Sequence, residues 1–366
     1  MAVTLNGTTG LVFNDGSAQD TAATGFGFKN RIINGAMVID QRNAGASVTP
    51  TADSTYTLDR WKIRNAGGAG RFSVVQSSTS AANFPTSVLL TVTTTSAPSG
   101  TEFYGLEQDI EGYNMADFGW GTANAQPVSV SFQVRSSLTG TYCVSLRNSA
   151  ADRSYVAEFT INSANTFETK TITVPAITTG TWLSTNGAGL LFLVCLGSGS
   201  TREGTAGSWQ SSNIVATSNQ VNWINTSGAT FYITGVQLEK GSTATSFDYR
   251  PYGTELQLCQ RYYETTAFPD LTFTNGATRA GIVFVGATGN SSGFNFLVPK
   301  RSNSPTVTLY SRNNTSGAVS LVTTGADITG SVVSGISGTG FRATALGAGQ
   351  TGGAGIETGW IASSEL

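Results

Sequence analysis

Apolar and polar residues alternate with a period of two along most of this 366-residue chain. Apolar residues of one parity share a face in three segments: Val88, Leu90 and Val92; Val128, Val130, Phe132 and Val134; and Tyr142, Val144 and Leu146. This pattern is typical of half-buried antiparallel strands, and short clusters among the 44 glycines imply many tight turns. The sequence therefore predicts an all-β protein, with a jelly-roll sandwich over residues 31–250.

One strand near the end of this region changes its parity. Phe231 and Ile233 give way to Val236 and Leu238 across Gly235. An extra residue at a glycine shifts the alternation in this way, so the sequence predicts a β-bulge at Gly235.

The segment 254–265 is the one convincing helix in the sequence. Thr254 and Gln257 have the spacing of a capping box at its start. The apolar arc of this helix is wider than one core-facing stripe requires, so we expect it to contact copies of the same chain about a symmetry axis. The predicted oligomerisation residues are Leu256, Leu258, Cys259, Tyr262 and Tyr263.

The predicted helix, taken as a link over residues 251–266, divides the rest of the chain. Residues 1–30 form a leader of low charge, in which 11–13 predict one very short strand before a turn. Such a segment needs a partner surface, because it cannot bury anything alone. Residues 267–366 repeat the strand pattern on a smaller scale and predict a C-terminal β-domain.

Composition excludes several classes of function. Charged residues make up 11% and the net charge is −2, which gives no electrostatic footprint for nucleic acid or an anionic membrane. There is no histidine, so catalytic triads with His and zinc sites with His are excluded. The three cysteines form no CxxC pair and are expected to be buried free thiols. No apolar run is long enough to span a bilayer, and the start lacks the pattern of a signal peptide.

Several segments together resemble bacteriophage tail fibre and receptor-binding proteins that contain a jelly-roll domain. The leader resembles a short strand-and-turn segment that recurs in such fibres, and the other segments resemble the entry, exit and distal domain. The resemblance is carried by LVFNDGSAQDTA (11–22), KNRIINGAMVIDQR (29–42), YTLDRWKI (56–63), TGVQLEKGSTATSFDYRPYGTELQLCQRYYE (234–264), FLVPKRSNSPTVTLYSRN (296–313) and GWIASSEL (359–366).

This resemblance implies a structural protein of the virion, made without a signal peptide and assembled as an elongated homotrimer. The leader would dock on a tail or baseplate protein, and the distal β-domains would face the host cell. The jelly-roll is similar to carbohydrate-binding modules, which implies a surface glycan as ligand. The implied attachment residues are Leu11, Val12, Phe13, Asp15 and Gly16.

Four residues are candidates for glycan contact. Trp120 and Trp209 lie in contexts rich in Gly and Ser, where we expect exposed rings able to stack on a sugar face. Tyr310 and Arg312 begin a distal loop, and loops on rigid β-scaffolds often carry recognition. The alternative for the two tryptophans is packing in the core. The alternative for the distal pair is an ordinary solvated turn.

The strand 106–111 places Glu107, Asp109 and Glu111 on one face. A row of carboxylates could hydrolyse a glycoside or hold Ca²⁺, although no cofactor is required by the sequence. The plainer interpretation is a solvated outer face of the sandwich.

The sequence thus favours a non-enzymatic tail fibre that adheres to a host glycan or protein. A purely structural virion component that binds only virion proteins is the first alternative. A polysaccharide depolymerase is the second.

Overall fold

The computed structural model describes residues 28–266, 290–321, 324–345 and 356–366, with the short strand segments 4–6, 10–12, 18–19 and 282–283. The first strands are β1 (Thr4–Asn6), β2 (Gly10–Val12) and β3 (Ala18–Gln19), and they form one antiparallel sheet. The strand expected at 11–13 therefore lies at 10–12. The predicted attachment residues Phe13, Asp15 and Gly16, and the side chains of Leu11 and Val12, lie outside the described residues.

Twelve strands in residues 56–240 form the jelly-roll sandwich, and its loops contain 3-10 turns at 112–114, 116–118, 200–202 and 223–225. The strands are β4 (Tyr56–Leu58), β5 (Trp61–Ala66), β6 (Arg71–Ser77), β7 (Ser87–Thr94), β8 (Phe103–Glu111), β9 (Val128–Ser136), β10 (Gly140–Arg147), β11 (Ser154–Ile161), β12 (Glu168–Val174), β13 (Ala188–Ser198), β14 (Trp209–Gln210) and β15 (Thr230–Lys240). Seven of them form one sheet in the order β14-β11-β10-β13-β8-β5-β4. The other five form a second sheet in the order β12-β9-β15-β7-β6.

The core lies between these two sheets. Phe132 of β9 contacts Phe159 of β11 with ring centroids 5.1 Å apart, and Tyr142 of β10 lies 5.6 Å from Phe231 of β15. These pairs join the two sheets, and all four rings belong to the buried core. The alternation in the sequence predicts the inward positions of Phe132, Tyr142 and Phe231. The prediction of an all-β jelly-roll sandwich is confirmed.

The predicted β-bulge is also confirmed. The pairing of β15 with β9 shifts register between Thr234 and Gln237, and Gly235 lies in the left-handed region with φ of 60°. Because of this shift, Phe231 and Ile233 before the bulge and the apolar residues after it all reach the core.

The single α-helix of the described residues, α1, spans Tyr252–Gln260 and so differs from the predicted helix at both ends. Thr254 makes no capping hydrogen bond; instead the carbonyl of Pro251 accepts the first bonds, from the N–H groups of Thr254 and Glu255. The capping-box prediction is therefore wrong. After the helix the chain extends again, because residues 263–265 pair with a strand near the C-terminus. No helix in the described part of the chain has the length and apolar character to cross a bilayer.

Helix α1 packs on its own chain. Cys259 of the helix and Tyr262 just after it are completely buried in one apolar cluster with Ile33 and Ile39, while Tyr263 is 7% exposed. Leu256 and Leu258 are half-buried beside them. The wide apolar arc is thus filled largely from within the chain, so its packing does not by itself require a second copy.

The remaining strands pair in three small sheets around a separate apolar cluster that includes Phe341 and Trp360. The sheet orders are β16-β25-β19, β17-β24-β20-β21 and β18-β23-β22. The strands are β16 (Tyr263–Thr265), β17 (Ile282–Val283), β18 (Asn290–Asn295), β19 (Thr306–Tyr310), β20 (Ala318–Leu321), β21 (Asp327–Thr329), β22 (Val332–Ser334), β23 (Gly340–Ala345), β24 (Ile356–Glu357) and β25 (Gly359–Ser363).

The row of carboxylates on β8 is buried, which corrects the expectation of a solvated face. Glu107 is fully buried and is paired with Arg147, with Arg64 at 2.7 Å and with Lys62 at 3.5 Å. Burial works to raise the pKa of Glu107, but these three cations hold that pKa below its usual value. Burial and the neighbouring Glu107 raise the pKa of Asp109 to about 6.

The same layer of charge joins the sandwich to the C-terminal segment. Glu111 accepts hydrogen bonds from Arg261, at 2.6 and 2.9 Å, and from the Tyr262 hydroxyl at 2.6 Å. Arg60, whose side chain is 1% exposed, is paired with Glu365 and lies 3.6 Å from the centre of the Tyr262 ring. Since cations already neutralise these carboxylates, the row no longer suggests a hydrolytic or calcium site.

Asp59 gives a testable dependence of stability on pH. Burial raises its pKa to about 7 from 3.8, although Arg42 and hydrogen bonds from Gln41 oppose the rise. The folded protein therefore holds a proton that the unfolded chain has lost. We expect this group to lower the free energy of unfolding, by about 3 kcal/mol or less, as the pH rises from 4 to 7.

Denaturant unfolding of the wild type and of Asp59→Asn at several pH values checks this expectation. The neutral variant should lack that part of the pH dependence. Parallel profiles for the two proteins would contradict it.

Candidate binding groove

A groove of about 380 Å³ runs along the outer face of the five-stranded sheet. Its floor is polar, because Ser131 and Gln133 of β9 alternate with core-facing residues and so point outward. Thr169 and Thr171 of the neighbouring strand β12 complete the floor, and the Gln133 amide donates a hydrogen bond of 2.8 Å to the Thr169 hydroxyl. The floor thus offers hydroxyl and amide groups that can both donate and accept.

Three aromatic rings form one wall of the groove. Phe84 lies 5.0 Å from Phe247 in an edge-to-face contact and 5.5 Å from Tyr249 in a stacked one. Phe247 and Tyr249 are 4.9 Å apart. Tyr249 is 56% exposed, and its hydroxyl donates to the carbonyl of Asn83 at 2.8 Å. The wall therefore presents an apolar surface held in place by the mutual packing of its rings.

The bulge at Gly235 makes room for this wall. A β-carbon at position 235 would come within 2.5 Å of the Phe84 ring, and the φ of 60° disfavours any side chain there. Gly235 therefore has two effects. On the core side, its bulge returns the apolar residues that follow to inward-facing positions. On the groove side, the absence of a β-carbon leaves room for the Phe84 ring.

The loop that carries the other two rings is fastened to β15. Glu239 accepts hydrogen bonds from the N–H of Thr245 at 2.8 Å and from its hydroxyl at 2.7 Å. The side chain of Gln237 accepts from the N–H of Asp248 at 2.8 Å. Because both anchors are buried, the loop holds Phe247 and Tyr249 in place before any ligand arrives.

The groove is electrically neutral. Among the described residues that line it there is no Asp, Glu, Lys or Arg. No cluster of His, Cys, Asp or Glu in the described part of the chain is arranged to hold a metal ion. The arrangement can therefore bind a neutral, hydroxyl-rich ligand with one apolar face, and it offers no acid or base for catalysis.

Two of the predicted glycan residues meet elsewhere, in a tryptophan cluster. Trp120, Trp182 and Trp209 pack edge to face, with centroids 4.8 to 5.6 Å apart. Trp120 is only 5% exposed, so the expectation of an exposed ring is wrong there. Each indole N–H of the three donates to a backbone carbonyl. The cluster caps the hydrophobic core, and Trp182 and Trp209 are its half-buried members.

The other two predicted residues lie at the end of β19 and in the turn after it, and neither lines the groove. Tyr310 ends β19, and the N–H of Arg312 donates to the Ser320 hydroxyl at 2.7 Å. The turn after them is held by Asp327, which accepts from Asn313 at 2.9 Å. The structure does not bring this pair together with either tryptophan.

Sequence reasoning missed the groove residues themselves. The alternation that placed Phe132 inward also placed Ser131 and Gln133 outward, so the floor was open to prediction. The wall was not, because Phe84 and Phe247 are 163 positions apart and meet only through the fold.

No family model matches this sequence, and no curated protein matches it. Several solved structures are similar to part of this chain. The enzymatically active domain of tailspike protein 4 from bacteriophage CBA120 is 15% identical over 58% of this chain and 21% of that chain, with a TM-score of 0.30. A family 4 carbohydrate-binding module is 14% identical over 57% and 97%, with a TM-score of 0.30. The C-terminal family 22 carbohydrate-binding module of Clostridium thermocellum Xyn10B is 14% identical over 54% and 100%, with a TM-score of 0.28.

The match thus spans about a fifth of the tailspike protein's length. At TM-scores of this size the likeness carries no argument about function. The strands β4–β15 form a jelly-roll β-sandwich, and its five-stranded sheet carries a neutral groove with an aromatic wall.

Proposed function

We propose that this chain is a virion adhesin of the tail fibre type that binds a cell-surface glycan in the groove of the five-stranded sheet. The observation that carries the proposal is the pairing of a hydroxyl and amide floor with a wall of three aromatic rings. The sequence segments that resemble phage fibres support the assignment to a virion.

A sugar ring suits such a groove for a physical reason. Its faces present C–H groups that pack on aromatic rings, while its hydroxyl groups need hydrogen-bonding partners when they leave water. The rings of Phe247 and Tyr249 supply the first contact, and the side chains of Ser131, Gln133 and Thr171 supply the second. The proposal is of binding without catalysis, and the neutral lining of the groove supports it.

Homotrimer assembly, expected from the resemblance, is part of this proposal. Weak sites on several copies give a large gain in avidity when they act together. A modest affinity at each groove is therefore compatible with firm attachment of a whole particle.

The test is glycan binding by the purified full chain, first on an array of bacterial surface glycans and then by calorimetry with a glycan that binds. We expect Tyr249→Ala and Gln133→Ala each to weaken binding about tenfold, since each removes one contact worth about 1.4 kcal/mol. Tyr249 is largely exposed, so its variant should fold normally.

Tyr113→Ala is the matched control, because Tyr113 is 62% exposed and does not line the groove. Equal weakening by the control and by Tyr249→Ala would contradict the assignment of the groove. Binding to virion proteins with no binding to any glycan would favour the purely structural alternative.

A further inference from the structure

The floor of the groove continues along β9 to Arg135. Ser131, Gln133 and Arg135 are alternate residues of one strand, so their side chains leave the same face of the sheet. At about 3.3 Å per residue, Ser131 and Arg135 are about 13 Å apart along the strand. A short oligosaccharide that lies in the groove can therefore reach the Arg135 guanidinium.

Two aromatic rings flank this guanidinium. Tyr232 of β15 is the direct cross-strand partner of Arg135, and the guanidinium carbon lies 4.8 Å from the centre of the Tyr232 ring. Phe167, just before β12 on the other side, has its ring centre 6.0 Å from the same carbon. The two rings are themselves 6.1 Å apart and nearly perpendicular. Both rings attract the guanidinium through cation–π interactions and limit its motion.

The side chain of Arg135 makes no hydrogen bond or ion pair with any described residue, and its Nε is buried without a partner. Within residues 28–250, all of which the structure describes, every other arginine bonds a carboxylate or a backbone carbonyl. Glu168, which follows Phe167 at the start of β12, pairs with Lys170 at 2.6 Å. These other arginines are Arg31, Arg42, Arg60, Arg64, Arg71, Arg147, Arg153, Arg202 and Arg250.

A guanidinium is suited to one kind of ligand group. Its planar fork of N–H donors matches the two oxygens of a carboxylate, and the paired, charge-assisted hydrogen bonds are stronger than neutral ones. In this chain the fork is oriented by two rings and is not neutralised by any described residue. The rest of the groove carries no charge, so a single acidic group on a sugar would be recognised at this point alone.

We propose that the ligand of the groove is an acidic oligosaccharide, in which the carboxylate of a uronic acid unit pairs with Arg135. This inference rests on the proposed glycan-binding function and adds the chemical class of the ligand. Neutral sugar units occupy the floor and wall, and the acidic unit lies at the Tyr232 end.

The test uses matched pairs of probes: oligosaccharides of neutral sugars that carry one galacturonate, glucuronate or mannuronate unit, each beside its carboxyl-reduced counterpart. For at least one pair, the wild type should bind the acidic form ten- to a hundredfold more tightly at low salt. The preference should shrink as salt is added. Arg135→Gln should lose the preference but keep the affinity for the reduced form, and Arg135→Lys should keep part of the preference.

Arg153→Gln is the control, since among the described residues the Arg153 guanidinium bonds only the carbonyl of its neighbour Asp152. Circular dichroism should show that all three variants fold. An acidic preference that survives in Arg135→Gln would overturn the inference, as would binding of neutral glycans alone, which leaves the proposed function standing. Binding of no glycan at all would overturn both.

Discussion

Glu107→Gln is expected to lower the free energy of unfolding by about 3–5 kcal/mol. The carboxylate of Glu107 neutralises Arg64, Arg147 and Lys62 in a layer closed to water. The amide keeps the size of the side chain. Lys62 would still pair with Asp109 and Arg64 with Asp53, but the buried Arg147 would keep only the amide oxygen of Asn213. Burial of charge without a partner is what makes this single change so large.

Denaturant unfolding monitored by tryptophan fluorescence measures the effect. Asp117→Asn is the control, because Asp117 pairs with Arg31 at 2.9 Å but its side chain is 47% exposed. A surface pair of this kind contributes about 1 kcal/mol or less. If the two variants lose similar amounts of stability, the charge layer is not the source of stability that its burial indicates.

Glu365→Gln is expected to loosen the C-terminal segment from the sandwich, at a cost of about 3 kcal/mol. The Glu365 carboxylate pairs with Arg42 at 2.7 Å and with the almost fully buried Arg60. Without it, Arg60 keeps only the carbonyl of Asp109 and the ring of Tyr262. Since β25 is the central strand of its small sheet, loss of this anchor should expose that sheet first.

Limited proteolysis, followed by mass spectrometry, locates the change. Cleavage should become faster in residues 290–366, while the sandwich remains resistant. Asp117→Asn again serves as the control and should be cut like the wild type. Faster cleavage within β4–β15 in the Glu365 variant would mean that the segment supports the whole sandwich and not only its own attachment.

The sandwich was predictable because its information is local. In Val128–Ser136 the alternation alone separates core from surface, and at Gly235 the parity change alone locates the bulge. Both depend on the fixed period of a strand and not on what lies opposite it.

The helix boundaries and the buried carboxylates depend on distant partners. A glutamate in a first helical turn is usually exposed, but Glu255 is buried. It pairs with Arg250 and accepts a hydrogen bond from the N–H of Asn34. Glu107 reads as an outer-face residue until Arg64 and Arg147 are known to cover it. Charged residues are expected at the surface, because burial of an unpaired charge is costly. Only the tertiary structure shows which cations pair with these carboxylates and so permit their burial.

The groove depends both on a local sequence pattern and on contacts between distant residues. Its floor follows from the alternation along β9, whereas its wall joins Phe84 to a loop that arrives more than 150 positions later. Trp120 and Trp209 attracted attention because tryptophan is a common sugar-stacking residue, but their rings are largely used to close the core. The aromatic residues that remain available are the less conspicuous Phe247 and Tyr249.

The position of β15 has a consequence for the order of events when the chain folds. This last strand of the sandwich lies in the middle of the five-stranded sheet, between β9 and β7. Until residues 230–240 are inserted, β6-β7 and β12-β9 remain two separate strand pairs with open edges. The sheet is therefore completed late and through contacts of long sequence separation, which slows folding. The groove, built on β9, β12 and β15, comes into existence only at that closing step.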